Sequence, residues 1–204
     1  MIRSEPDPAS AVLQGARVTL RPLVSQDFPQ WRDVRTENEV WLTQWEPQRL
    51  PGQPDVVANK QAFSSRCAAR HRERQLGTGF GFGVFVGSVL VGEMNVSSIQ
   101  RGPFQNAYIG YWVDERMAGK GYTPEALAVA MRFAFEDLRL HRLQIAIIPR
   151  NRPSRRVVEK LGLRLEGIAE RYLEINGVWE DHMRYAITTE EWQERHTEFA
   201  NYLG

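Results

Sequence analysis

The chain has 204 residues, of which 42% are hydrophobic and 25% charged. This composition fits one globular domain that is large enough to bury a substantial core. The 26 Lys and Arg residues nearly balance the 25 Asp and Glu residues, which argues against a general nucleic-acid binder. The single cysteine, Cys67, excludes an intrachain disulfide and fits a reducing compartment. No apolar segment approaches the roughly 18 residues of a membrane-spanning helix, and we expect a cytoplasmic protein.

The first half of the chain predicts a flexible segment over residues 1–15, followed by a single domain over residues 16–204. Residues 1–15 are polar and rich in proline. Alternation and helical spacing then predict a strand over 16–21, short helices around 25–34 and 39–45, and a long polar helix over about 55–75. Two strands, 80–86 and 89–99, flank the Gly87-Ser88 turn of a hairpin.

The second half alternates strands and helices. A strand over 107–113 leads through a glycine-rich turn into a helix over 124–138, where Leu127, Ala130, Met131, Ala134 and Leu138 recur at helical spacing. The predicted elements beyond it are a strand over 142–148, a helix over 153–161 that ends at Gly162, a hairpin over 163–187 around Asn176-Gly177, and a helix opened by the Thr188–Glu191 capping box. The sum is a mixed α/β domain with about seven strands and helices on both faces.

The turn between the strand over 107–113 and the next helix is the most informative segment. Its sequence is Arg116-Met117-Ala118-Gly119-Lys120-Gly121-Tyr122. The free N–H groups of such a turn converge with the positive end of the helix dipole, and together they favour a phosphate group. Two familiar phosphate motifs do not fit, because the pattern lacks the third glycine of the dinucleotide fingerprint and Lys120 is not followed by Ser or Thr.

The Arg-x-x-Gly-x-Gly pattern of residues 116–121 resembles the pyrophosphate loop of the GNAT acetyltransferases. Further motifs fall in register with that family, namely Trp45-Glu46-Pro47, Gly110-Tyr111-Trp112, His141-Arg142, Asn151, Ser154, Leu161-Gly162-Leu163, Glu166-Gly167, Tyr172-Leu173, Asn176-Gly177, Trp179, Asp181-His182 and residues 188–192. From about residue 17 to residue 192 the chain resembles the RimJ-type ribosomal-protein alanine N-acetyltransferases.

This resemblance implies the GNAT acyl-CoA N-acyltransferase fold, in which two central parallel strands, here 108–113 and 142–148, splay apart. It also implies transfer of an acetyl group from acetyl-CoA to an amine. The type substrate is the N-terminal α-amine of a protein, and the expected partner is a ribosomal protein that begins with Ala or Ser. The expected protein is a monomer or homodimer that binds no metal, nucleic acid or membrane.

The resemblance also assigns the cofactor-binding residues. The backbone of Met117, Ala118, Gly119, Lys120, Gly121 and Tyr122 would cradle the pyrophosphate, with a charged contact from Arg116 or Lys120. Thr123 would either cap the helix or contact a phosphate. The backbone of Tyr111, Trp112 and Val113 would pair with the pantetheine amides. Asn151 would cap its helix, contact the cofactor, or do both.

The catalytic groups are less determined. Ser154 matches a position from which family members protonate the departing thiolate, although water is an alternative donor. For the base, Glu93 within a central strand is the first candidate. Glu46 is the second, either as a base through water or as an anchor for the substrate ammonium, and a water relay is a third route. Two rival functions remain at this point: acetylation of an aminoglycoside or polyamine, and a non-catalytic acetyl-CoA sensor.

Overall fold

A computed structural model describes residues 12–203. The predicted flexible segment, residues 1–15, lies mostly outside the described residues. Its last part differs from the prediction, because Leu13–Gln14 forms a short strand at the edge of the sheet. Within residues 12–203, no helix combines the length and apolar character needed to cross a membrane.

One sheet of eight strands forms the centre of the molecule, in the order β1-β2-β3-β4-β5-β6-β8-β7. Its strands are β1 (Leu13–Gln14), β2 (Thr19–Arg21), β3 (Phe80–Val86), β4 (Val89–Gln100), β5 (Asn106–Val113), β6 (Arg142–Ile147), β7 (Arg164–Ile175) and β8 (Val178–Thr188). All neighbours are antiparallel except β5 and β6. This is the predicted mixed sheet, with β1 as the strand that the sequence pattern did not reveal.

Within residues 12–203, seven α-helices pack around the sheet. They are α1 (Phe28–Glu37), α2 (Glu39–Thr43), α3 (Lys60–Gln75), α4 (Tyr122–Arg132), α5 (Arg152–Lys160), α6 (Thr189–Glu194) and α7 (His196–Leu203). Helix α3 begins later than predicted, because the Asn59 side chain accepts hydrogen bonds from the Gln61 and Ala62 N–H groups and caps the helix there. Helix α4 continues as a π-turn over Phe133–Asp137.

Both predicted hairpin turns and the predicted capping box are confirmed. Gly87 and Gly177 have positive φ angles of 58° and 80°, which a side chain resists and glycine allows. The Thr188 hydroxyl accepts from the Glu191 N–H, and the Glu191 carboxylate accepts from the Thr188 N–H. These local signals set the register of the strands that flank the site.

Two apolar clusters cover the two faces of the sheet. The larger contains the buried side of α4, including Leu127 and Met131, and extends to Trp192 and Phe199 of the C-terminal helices. The smaller is formed by α1, α3 and the turn end of the β3–β4 hairpin, with Phe63 at its centre. The sheet therefore lies between two helical layers, and the larger cluster includes residues of both β5 and β6.

Candidate active site

The parallel strands β5 and β6 separate towards their carboxyl ends. They pair only over Asn106–Tyr108 and Arg142–Gln144, although β5 continues to Val113 and β6 to Ile147. This confirms the predicted splay. A groove of about 610 Å³ lies at the opening, lined by both β5 and the start of α5.

The glycine turn forms one end of this groove. Ala118, Gly119, Gly121 and Thr123 line it, and the two glycines have φ angles of 77° and 86°. An ideal Cβ at Gly119 would meet nothing within 4 Å, so this glycine is required by its backbone angle and not by crowding. Within residues 12–203, the N–H groups of Gly119, Gly121, Tyr122 and Thr123 make no backbone hydrogen bond, which leaves four donors for an anion.

The cations near the loop differ from those expected. Arg116 pairs with Asp114 at 2.6 Å and Glu37 at 2.7 Å, and neither Arg116 nor Lys120 lines the groove among the described residues. Arg17 instead lies against the loop, donating to the Lys120 carbonyl oxygen at 3.1 Å. At the α5 side, Arg156 and Lys160 line the groove.

The backbone of β5 shows which groups face the opening. The Asp114 N–H donates to the Val91 carbonyl oxygen at 2.8 Å, and Trp112 pairs with Glu93 in the same register. Because backbone groups of a strand alternate between its two neighbours, Trp112 directs its N–H towards β4. Tyr111 and Val113 direct theirs towards the opening. Of the three residues expected to bind pantetheine through the backbone, Tyr111 and Val113 thus have N–H groups that face the opening, whereas the Trp112 N–H faces β4. Trp112 is nevertheless one of the residues that line the groove.

Asn151, Ser154 and Tyr111 form one hydrogen-bonded group beside the groove. The Asn151 side chain accepts from the Ser154 N–H at 3.1 Å and caps α5. The Ser154 hydroxyl donates to the Tyr111 phenol oxygen at 3.0 Å, and the phenol donates to the Ser154 carbonyl oxygen at 3.1 Å. Burial raises the pKa of Tyr111 well above its usual range, against the opposing effect of Ser154. The Tyr111 phenol therefore stays protonated at neutral pH.

The other end of the groove is aromatic. Trp41, Trp45 and Trp112 line it together with Glu46. The Trp41 indole N–H donates to the Val113 carbonyl oxygen at 3.1 Å, which places α2 across the end of β5. The Arg150 guanidinium lies over the Trp45 ring at 4.9 Å.

Glu46 is held in place from two sides. Arg35 donates two hydrogen bonds to its carboxylate, at 2.7 and 2.6 Å. The Asn176 N–H, at the tip of the β7–β8 hairpin, donates to its carbonyl oxygen at 3.0 Å. The side chain remains 32% exposed. Among the described residues that line the groove, Glu46 is the one carboxylate.

Glu93 lies elsewhere. It is buried, with 2% exposure, and its two oxygens accept from the Trp31 indole and the Arg66 guanidinium, both at 2.5 Å. It is not among the described residues that line the groove. The structure therefore separates the two base candidates: Glu46 faces the site and Glu93 is paired inside the α1–α3 side of the sheet.

Sequence reasoning missed several residues of the site. Arg17, Arg35 and Trp41 are distant from the glycine loop in sequence. In the folded chain Arg17 contacts the loop, Arg35 contacts Glu46, and Trp41 contacts Val113 at the end of β5. The sequence contains a partial signal for Trp41. This residue lies in the short helix α2, four residues before Trp45, and two tryptophans so close together are unusual on a surface that binds nothing. Arg17 and Arg35 resemble any other surface arginine in the sequence.

Comparison with known proteins identifies the class. The chain matches the acetyltransferase (GNAT) domain model over residues 17–164. A probable N-acetyltransferase of Bacillus subtilis, YjcK, is 34% identical over 86% of this chain and 96% of its own. The ribosomal protein uS5-alanine N-acetyltransferase of Escherichia coli is 31% identical over 86% and 90%. Mycobacterium smegmatis RimJ in complex with CoA-disulfide superposes with a TM-score of 0.83 at 32% identity, covering 89% of each chain.

The chain therefore belongs to the GNAT acetyltransferase family, and it is an acetyl-CoA-dependent N-acetyltransferase. Its relatives and structural neighbours include RimJ-type ribosomal-protein alanine N-acetyltransferases. The residues of the groove fit coenzyme A independently of these comparisons. They provide free N–H groups at the start of α4, the cations Arg156 and Lys160, and a strand edge of β5 that is not paired with β6.

Proposed function

We propose that this enzyme acetylates the N-terminal α-amine of a protein, and that the substrate is a ribosomal protein beginning with Ala or Ser. The proposal rests on the charge of the aromatic end of the groove, which we call the acceptor end because it would receive the amine substrate. It presents one carboxylate, Glu46, among three tryptophans. One carboxylate suits a single ammonium next to a small first residue, whereas a polyamine or aminoglycoside needs several convergent carboxylates.

On the donor side, acetyl-CoA supplies a thioester that is open to attack by an amine. The N–H groups of the glycine loop bind its pyrophosphate, and Arg156 and Lys160 add charge-assisted contacts to its phosphates. The inward N–H groups of Tyr111 and Val113 extend the pairing of β5 to the pantetheine arm and polarise the thioester carbonyl. Thr123, in the first turn of α4, lines the groove and contacts a phosphate, whereas the side chains from Glu125 to Met131 are buried in the core and play no direct part.

On the acceptor side, Glu46 anchors the ammonium and accepts its proton directly or through one water. A strong base is unnecessary, because a free α-amine has a pKa of about 7.7–8.0 and is partly neutral near pH 7. The Ser154 hydroxyl donates to the Tyr111 phenol oxygen; when it turns to the departing thiolate it gives that thiolate its proton, and the serine takes a replacement proton from water. Asn151 positions Ser154 through its N–H.

The substrate class is supported by the E. coli relative, a ribosomal protein uS5-alanine N-acetyltransferase. To test it, the purified enzyme is incubated with acetyl-CoA and either Ala- or Ser-starting peptides, polyamines or aminoglycosides, and thiol release is followed. We expect turnover with the peptides only. Turnover confined to polyamines or aminoglycosides would refute the protein substrate, and binding of acetyl-CoA without any turnover would favour a sensor.

A further inference from the structure

A second cavity lies on the α1–α3 side of the sheet and shares no lining residue with the acetyl-CoA groove. Its volume is about 370 Å³. It is enclosed by one side of α3, by the segment after β2, and by the middle of β3 and β4. Its apolar wall includes Leu23 and Phe82, and Cys67 is also part of the lining.

The three arginines that line this cavity differ in whether they form a salt bridge. Arg66 forms a salt bridge with Glu93 at 2.5 Å, and Arg70 forms one with Glu73 at 2.8 Å. Arg74 is only 5% exposed, and within residues 12–203 it forms no salt bridge. Its one hydrogen bond goes from Nη2 to the Gly81 carbonyl oxygen at 2.7 Å, and its buried Nε has no acceptor among the described residues.

The Arg74 guanidinium also lies over the Phe82 ring, 5.7 Å from its centroid, but it has no carboxylate partner among the described residues. Such an arginine is unusual, because a guanidinium keeps its charge in proteins and a buried charge without a counter-charge is unfavourable. Burial lowers the pKa of Arg74, with no opposing carboxylate. The Asn95 amide oxygen, on the same wall, is also buried without a donor. An ideal Cβ on Gly81 would lie 2.9 Å from that oxygen, so the glycine leaves room for the polar end of the cavity. The Asn95 oxygen is an acceptor and gives an anion no contact, and the carboxylate in the lining, Glu93, is paired with Arg66. Arg74 therefore supplies the charge for an anion, and Gly81 leaves space beside it.

We infer that this cavity binds a small carboxylic acid, with its carboxylate on Arg74 and a short apolar body against Leu23 and Phe82. A carboxylate matches the planar guanidinium fork and supplies the missing charge. The apolar wall favours a hydrocarbon body over a second charged group. The site is independent of the acetyl-CoA groove, and its test does not depend on acetyl transfer.

Hexanoate serves as the probe and hexanamide as its uncharged counterpart, both at the same ionic strength. Cys67 is the only cysteine of the chain and lines the cavity, so its alkylation by iodoacetamide, followed by intact mass, reports occupancy. We expect hexanoate to slow alkylation saturably, by about tenfold at ten times its dissociation constant, and hexanamide to have no effect. Equal effects of the two compounds, or none from hexanoate, would overturn the inference.

Arg74→Met keeps the length of the side chain and removes its charge. We expect this variant to lose the hexanoate protection while its melting temperature stays equal or rises, because a buried unpaired charge has been removed. Arg70→Met, at a lining arginine that has its own carboxylate, is the matched control and should retain protection. If Arg74→Met fails to fold, Arg74→Lys keeps the charge and should still distinguish hexanoate from hexanamide. Protection that persists in Arg74→Met would contradict the assignment.

Discussion

At the scale of single residues, Glu46 and Glu93 show how the surroundings decide the role of a carboxylate. Both stand beside tryptophan and arginine side chains, and both accept charged hydrogen bonds. Glu46 is one-third exposed at the groove, whereas Glu93 is 2% exposed, lines the second cavity and is paired with Trp31 and Arg66. Accessibility to the substrate, which the sequence does not show, separates the catalytic candidate from the structural one.

Glu46→Gln should lower kcat/KM for an Ala-starting peptide by about tenfold to a hundredfold, because a charge-assisted contact of about 1.5–3 kcal/mol is lost. The affinity for acetyl-CoA, measured by calorimetry, should stay unchanged. Glu39→Gln, on the exposed surface of α2, is the matched control and should leave kcat/KM as it is. An unchanged rate in Glu46→Gln would exclude Glu46 from the acceptor site.

Glu93→Gln should act on stability. The change weakens two buried hydrogen bonds and leaves Arg66 without its partner, which we expect to cost about 1–3 kcal/mol of unfolding free energy. Urea unfolding measures the loss, and peptide kinetics on the folded fraction measure kcat. A large fall of kcat with an unchanged free energy of unfolding would instead indicate that Glu93 is the catalytic base.

At the scale of elements, much of the site was predictable from local signals. The glycine loop, the Asn151 cap, the Asn176-Gly177 turn and the splayed strands all follow from short patterns or from the resemblance. The edge strand β1 was not predictable, because two residues carry too little alternation. The positions of Arg17 and Arg35 were not predictable either, because tertiary contacts alone bring them to the loop and to Glu46.

Gly121→Val should abolish acetyl-CoA binding. A β-branched residue resists the φ of 86°, and its Cβ would lie 3.1 Å from the Arg17 guanidinium. Gly87→Val, in the β3–β4 turn, imposes a similar backbone strain at φ 58° with no neighbour within 4 Å. This control should show a comparable fall in melting temperature and retain acetyl-CoA binding. Equal cofactor affinities for the two variants would contradict the loop assignment.

Asp114 links β5 to the glycine loop and should make the stability pH-dependent. Burial raises the pKa of this carboxyl, but hydrogen bonds from Arg116 and Asn38 outweigh the effect, so its pKa lies below its usual range. The stabilisation is therefore present above the ordinary pKa of about 3.9 and is lost as the pH falls through the lower pKa of the folded state.

Asp114→Asn should accordingly cost about 1–2 kcal/mol of unfolding free energy at pH 7, and the difference from the unmodified protein should shrink in acid. Urea unfolding at pH 7 and at pH 3 compares the two. Asp33→Asn, whose carboxylate is exposed and paired with Arg32, should show no comparable loss at pH 7. A difference between Asp114→Asn and the unmodified protein that is the same at both pH values would contradict the account.

At the scale of the whole molecule, the groove and the second cavity lie at different parts of the sheet and offer different binding groups. The groove at the splayed strands offers backbone N–H groups and a single carboxylate, whereas the cavity behind β3 and β4 offers a buried guanidinium. We propose that the chain from residue 16 onwards acts as one acetyltransferase domain, because both apolar clusters pack on the same sheet. Because the net charge of the chain is only +1, we expect ligand recognition to depend on local charges in the groove and the cavity.

The most direct test of the proposed activity uses one peptide that begins with Ala and contains one internal lysine. After incubation with the enzyme and acetyl-CoA, tandem mass spectrometry locates the acetyl group. The account predicts acetylation of the α-amine alone, because the acceptor end holds one ammonium beside Glu46 and the tryptophans. Acetylation of the lysine side chain, with the α-amine left free, would contradict it.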